Sequence, residues 1–195
     1  MYTTVQRIFN SIFENIKSAF MHLGYPIVIT VLIVLVVAFI SYLKHKENFK
    51  QYFDASVKVK LLKLALTVLY FSFVLEMTLF KRIGIEQVPP LSELWRGWSI
   101  FDTELRMYVD FSPVINAIML IPVAPIFRFA FGSKDKLILK STIASFAISS
   151  FIEASQVIFR LGTHQISDLF YNTFGGFIGA LILTFILKYI KKNDA

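Results

Sequence analysis

The sequence predicts an all-α integral membrane bundle, with about five transmembrane helices plus an N-terminal amphipathic interfacial helix. Three observations carry that prediction. Of 195 residues, 56% are hydrophobic, above the roughly 45–50% of a soluble domain. The apolar runs Tyr25–Leu43, Leu61–Phe80, Ser112–Phe131, Leu137–Phe159 and Tyr171–Tyr189 are each long enough to cross a hydrocarbon core of about 30 Å, which takes about 20 helical residues. These runs lack the two-residue alternation of barrel strands, so helices must satisfy the backbone amides inside lipid.

Residues 1–24 form the first element. Val5, Ile8, Phe9, Ile12, Phe13, Ile16, Phe20 and Leu23 recur at three- and four-residue steps, and Arg7, Asn10, Glu14 and Lys17 fall off that stripe. This is an amphipathic helix, which lies in the membrane interface or packs on the bundle. A signal peptide is not expected, because the polar stretch ahead of the first span and the span itself are both too long. Residues 25–60 hold the first span and a basic loop. Residues 61–192 hold the other four spans, leaving no room for a soluble domain.

The net charge of +7 gathers at span ends. Lys44, Lys46, Lys50, Lys58 and Lys60 follow the first span. Arg128, Lys134, Lys136 and Lys140 lie between the third and fourth, and Lys188, Lys191 and Lys192 close the fifth. The segment Lys81–Phe111 dilutes its four basic residues with five acids, and Leu161–Phe170 has no Lys or Arg. By the positive-inside rule the three basic regions are cytoplasmic and the N-terminus is outside. Snorkelling side chains account for the charge, and no nucleic-acid partner is expected.

Polar residues inside the last two spans mark the candidate site, since ionisable groups at that depth face a bundle interior or each other. Ser145, Ser149, Glu153, Gln156 and Arg160 are spaced four, four, three and four, along one helical face. After a short turn, His164, Asp168 and Asn172 repeat every fourth residue and lead into Gly175, Gly176 and Gly179, whose spacing permits close helix approach. Plainer roles stand beside these. Glu153 and Arg160 can be a neutralised pair that fixes register. Asp168 can cap the fifth helix, and His164, Trp95 and Trp98 can be interfacial residues. Glu76, near the end of the second span, can join the cluster or meet Arg82. The chain has no cysteine, and His22 and His45 offer no ligand spacing, so no metal and no cofactor are expected.

The pattern E-x-x-Q-x-x-x-R, a short turn, then S-D-L-x-x-N-T-x-G-G-x-x-G resembles the signature of the VanZ-like family. Thr78-Leu79-Phe80-Lys81-Arg82 fits as well. Asn116 and Pro122 are similar to the family's N-x-x-x-F-x-P segment, with Leu120 in place of its Phe and Ala124 where Gly is common. The resemblance covers about Leu61 to Lys188. It implies a multi-pass protein of the bacterial plasma membrane, from a family widespread in Gram-positive bacteria and associated with lowered sensitivity to lipoglycopeptides such as teicoplanin. The expected function is a non-enzymatic cell-envelope factor. Its polar cluster near the outer face would bind a lipid head group, a lipid-linked cell-wall precursor or the drug, with Arg160 reading an anionic group. The alternatives are a membrane-embedded enzyme acting on an anionic lipid-linked substrate, with Asp168 or His164 as base, and a small transporter. No nucleophile elbow or phosphate loop supports the first, and no inverted repeat supports the second. The sequence leaves the oligomeric state open.

Overall fold

The computed structural model describes residues 4–48, 52–84, 101–102, 108–109, 112–132, 136–162 and 165–193. The helices are α1 (Thr4–Met21), α2 (Gly24–Lys44), α3 (Ala55–Thr78), α4 (Ser112–Leu120), α5 (Val123–Phe131), α6 (Leu137–Phe159) and α7 (Ile166–Asn193). Short 3-10 turns stand at Lys46–Asn48 and Phe80–Arg82. Phe101–Asp102 (β1) and Tyr108–Val109 (β2) make one small antiparallel ladder, with Phe101 opposite Val109. Among the described residues, five helical stretches are long and apolar enough to cross a membrane: Ile16–Lys44, Ala55–Arg82, Pro113–Phe131, Leu137–Phe159 and Ile166–Asn193. The chain is a multi-pass membrane protein.

Two compact units emerge, one of residues 19–81 and one of residues 1–18 with 82–195. In the first, α2 packs on α3. Helix α3 starts six residues before the apolar run, because Asp54 caps it by accepting a hydrogen bond from the Val57 amide at 2.9 Å. In the second unit α7 is central, packed by α4, α5 and α6. Its interior mixes small polar and aliphatic side chains: Ser141, Ser145, Ser149 and Ser167 are buried with Leu120, Ala124, Ile152 and Ala180, whereas Phe146, Phe151, Phe170 and Phe185 are exposed. Small residues at the contacts and large apolar ones outside suit lipid, where helices associate through close packing rather than exclusion of water.

The third span breaks where the sequence suggested one continuous helix. Pro122 and Pro125 carry no N–H, so the carbonyls of Ile118 and Ile121 lose the donors a regular helix would give them. The Ile121 amide turns to the Ile118 carbonyl at 3.2 Å, and the helix restarts with Ile126 bonding to Pro122 at 3.1 Å. The broken span still packs tightly, because α7 presents glycines to it. A Cβ on Gly175 would stand 2.7 Å from the Ala117 carbonyl carbon, and one on Gly179 would stand 2.9 Å from that of Ile121. Both pairs advance by four residues, so α4 and α7 run parallel. Gly176 instead abuts Ser145 of α6. Asn172 donates to Ser149 Oγ at 2.9 Å, so α6 and α7 run antiparallel, joined by the turn at Leu161–Gly162.

Candidate functional site

The site forms where α6 and α7 meet their connecting turn. Glu153 is half-buried on α6, and its Oε2 accepts a hydrogen bond from the Gln165 amide at 3.2 Å, immediately before α7 begins. Burial and the Gln165 amide act on it, and the carboxylate of Asp168 and the guanidinium of Arg82 are near enough to add opposing electrostatic influences. Helix α7 begins at Ile166, so Asp168 is not the cap the sequence allowed. It stands inside the first turn, where negative charge meets the positive end of the helix. One turn deeper, the Asn172–Ser149 hydrogen bond forms the floor. Asn172 is 2% exposed, and its Oδ1 accepts no hydrogen bond from the described residues. Gln156 is buried on the same stretch of α6.

Arg82 is a candidate site residue that sequence reasoning left out of the cluster. Its Nη1 donates to the Leu161 carbonyl at 3.4 Å, which lays the guanidinium across the α6–α7 turn. Gly162 makes room for it. Its φ of +94° belongs to glycine, and a Cβ there would lie 2.8 Å from Arg82 Nη1. The available signal was the Thr78–Arg82 motif itself, which ends in a cation just past an apolar span.

Arg160 sits differently from the expected ladder. It caps α6 with φ 54° and ψ 43°, in left-handed conformation, while the Leu161 amide reaches back to the Gln156 carbonyl at 2.9 Å. This is glycine's usual place, yet an exposed arginine holds it. Such outliers persist where the surroundings impose them, often at functional sites. Glu76 is buried, and its partner is His22, whose Nδ1 lies 2.9 Å from Glu76 Oε1. Asn116 is half-buried on α4, next to the Ala117 carbonyl that meets Gly175. His164 lies outside the described residues, as do Trp95 and Trp98. Gly175, Gly176 and Gly179 are buried packing positions.

These features define a small multi-pass membrane protein with a charged cluster at one end of an α-helical bundle. A family model described as VanZ/LLP1 matches residues 27–188, and the chain belongs to that family. Membership supports a membrane protein linked to glycopeptide resistance. The match takes in the first span, which the motif resemblance had left out. That span is an almost unbroken apolar helix and carries no polar mark by which to recognise it. No curated protein and no solved structure gives a significant match.

Proposed function

We propose that this protein is a non-enzymatic factor of the bacterial plasma membrane that lowers sensitivity to teicoplanin-type lipoglycopeptides. It does so by holding a lipid head group, a lipid-linked cell-wall precursor or the drug at the cluster of Glu153, Asp168, Arg82 and Arg160. The cluster faces outward in this reading, with the N-terminus outside and the C-terminus cytoplasmic, which the Lys and Arg asymmetry of the loops supports.

One observation carries the reading. Glu153 and Asp168, with Arg82 acting on the same carboxylate, stand at the end of spans whose outer surface is apolar. Two carboxylates and a guanidinium offer partners to both signs of charge on a zwitterionic head group. Arg160, exposed on its strained cap, adds a planar fork that grips phosphate or carboxylate at two points. Holding a ligand in this way makes and breaks no bond.

The test is tolerance in a teicoplanin-sensitive Gram-positive host expressing the parent or a variant at matched membrane levels. Asp168→Asn keeps the shape and loses the charge, and Arg160→Lys keeps the charge and loses the fork. Both should insert normally and lose the tolerance that the parent confers. Full tolerance in both variants would move the site elsewhere, first to the segment 81–111.

A further inference from the structure

A second group of charges belongs to the unit of residues 19–81 and has no part in the function proposed above. Lys44 ends α2, Lys46 stands in the 3-10 turn that follows, and Lys58 and Lys60 lie in the first two turns of α3. All four are exposed. Helix α2 packs on α3, and only residues 45–54 join them, so the four lysines gather at one end of the pair. The acids described there are Glu47 and Asp54, and Asp54 is engaged by the Val57 amide at 2.9 Å. This end therefore carries an excess of positive charge.

His45 gives the loop a fixed hydrogen-bonding group. Its Nδ1 lies 3.1 Å from the Ser41 carbonyl oxygen. A carbonyl only accepts, so Nδ1 carries the proton and donates. Nε2 is left as the second hydrogen-bonding atom of the ring, and it donates when the ring is charged. The ring lies flat on Tyr52, with centroids 3.6 Å apart and planes within 7°, so its orientation is set at both an edge and a face. Lys58 turns back over the residue next to Tyr52: its Nζ is 5.8 Å from the centroid of Phe53. Lys58 and the two lysines that flank His45 are thereby drawn to one loop.

An apolar track leads up to that loop. Leu32, Val36, Phe39 and Leu43 recur on α2 at steps of four, three and four, and all are exposed. A further step of three reaches Lys46. The track rises about 16 Å along the helix, the depth of one leaflet of a hydrocarbon core of about 30 Å. We propose that the α2–α3 turn binds an anionic phospholipid, with its phosphate at Lys44, His45, Lys46 and Lys58 and an acyl chain along Leu32, Val36, Phe39 and Leu43. Clustered cations beside a membrane span suit an anionic head group, and the same excess of lysine repels the cation of a choline head group. Free phosphate shares the head-group chemistry but leaves the apolar track unused. The site is independent of ligand binding at the α6–α7 turn.

The test is thermal unfolding of the full chain in one nonionic detergent, with equal mole fractions of phosphatidylglycerol or phosphatidylcholine in the micelle. A ligand at about ten times its dissociation constant raises the melting temperature of a chain of this size by roughly 3–6 °C. Phosphatidylglycerol should do so, and phosphatidylcholine should not. The triple variant Lys44→Gln, Lys46→Gln and Lys58→Gln should lose the rise. Lys188→Gln, Lys191→Gln and Lys192→Gln together remove equal charge from the end of α7 and should keep it. His45→Phe retains a ring to stack on Tyr52 but lacks Nε2, and should reduce the rise; an unchanged rise would overturn the placement of the phosphate at His45. Equal rises with the two lipids, a rise kept by the first triple variant, or one lost equally in both triple variants would overturn the site. The same rise with inorganic phosphate alone would overturn it in favour of a free-anion site.

Discussion

Gly175 and Gly176 are adjacent on α7 but meet different kinds of neighbour, so alanine should act differently at each. At Gly175 the new Cβ would stand 2.7 Å from the Ala117 carbonyl carbon. Carbon atoms prefer at least about 3.5 Å, so α4 must retreat by at least roughly 0.8 Å, and further to clear the Ala117 carbonyl oxygen, which lies nearer still. Forced overpacking costs about 1–3 kcal/mol, and a rigid backbone neighbour puts this case near the top. Replacing a mid-helix glycine returns about 1 kcal/mol. The net loss is therefore about 2 kcal/mol, which for a chain of this size lowers the melting temperature by roughly 4–8 °C. At Gly176 the obstacle is the side chain of Ser145, which a second mutation can remove. Gly176→Ala alone should destabilise, whereas Ser145→Gly with Gly176→Ala exchanges one helix glycine for another and should melt within about 2 °C of the parent. Thermal unfolding in one detergent measures all three variants. A parental melting temperature for Gly175→Ala, or a double variant no better than Gly176→Ala, would refute this packing.

Arg160→Gly should relieve a left-handed residue that costs roughly 1–2 kcal/mol, less about 0.4–1 kcal/mol for glycine's freedom in the unfolded chain. Thermal unfolding should therefore show slightly higher stability, while teicoplanin tolerance is lost. Lys136, at φ 52° beside Arg160's 54°, is the control: Lys136→Gly should gain similarly and keep tolerance. A double-mutant cycle on Glu153→Gln and Arg82→Gln should give a coupling of about 1 kcal/mol or more in detergent unfolding, and zero coupling would mean that the two charges do not meet. Cysteines at Ser92 and Thr163 should react with an impermeant maleimide in intact cells, and one at Ser133 only after permeabilisation. The reverse pattern would place the α6–α7 turn in the cytoplasm.

The membrane-spanning helices were legible because lipid leaves little choice: an apolar run of sufficient length becomes a helix. Their ends were less so. Asp54 extends α3 backwards through a local hydrogen bond, and α7 begins five residues before Tyr171, where apolarity fades but helix continues. The break at Ile121–Pro122 had its signal in two prolines three residues apart, masked by uniform apolarity on either side. At the site, helical spacing placed Ser145, Ser149, Glu153 and Gln156 on one stretch of α6, and Asp168 and Asn172 on α7. Spacing could not reveal partners contributed by other helices. Arg82 is 71 residues from Glu153 in sequence, and His22 is 54 from Glu76. Each juxtaposition depends on how helices assemble, and neither leaves a periodic trace. Arg160 departs from the regular helical spacing for a local reason: the chain turns left-handed at that residue and enters Gly162.

The central claim is that the Glu153, Asp168 and Arg82 cluster holds an amphipathic ligand, and native mass spectrometry of protein extracted gently from the host membrane tests it most directly. The parent should carry a bound lipid or lipid-linked precursor, or should take up added teicoplanin as a one-to-one adduct. Glu153→Gln combined with Arg82→Gln, extracted at matched yield and folded by the same thermal measure, should lose that adduct. A parent that carries none of these, or an adduct retained equally by the double variant, would contradict ligand binding at this cluster.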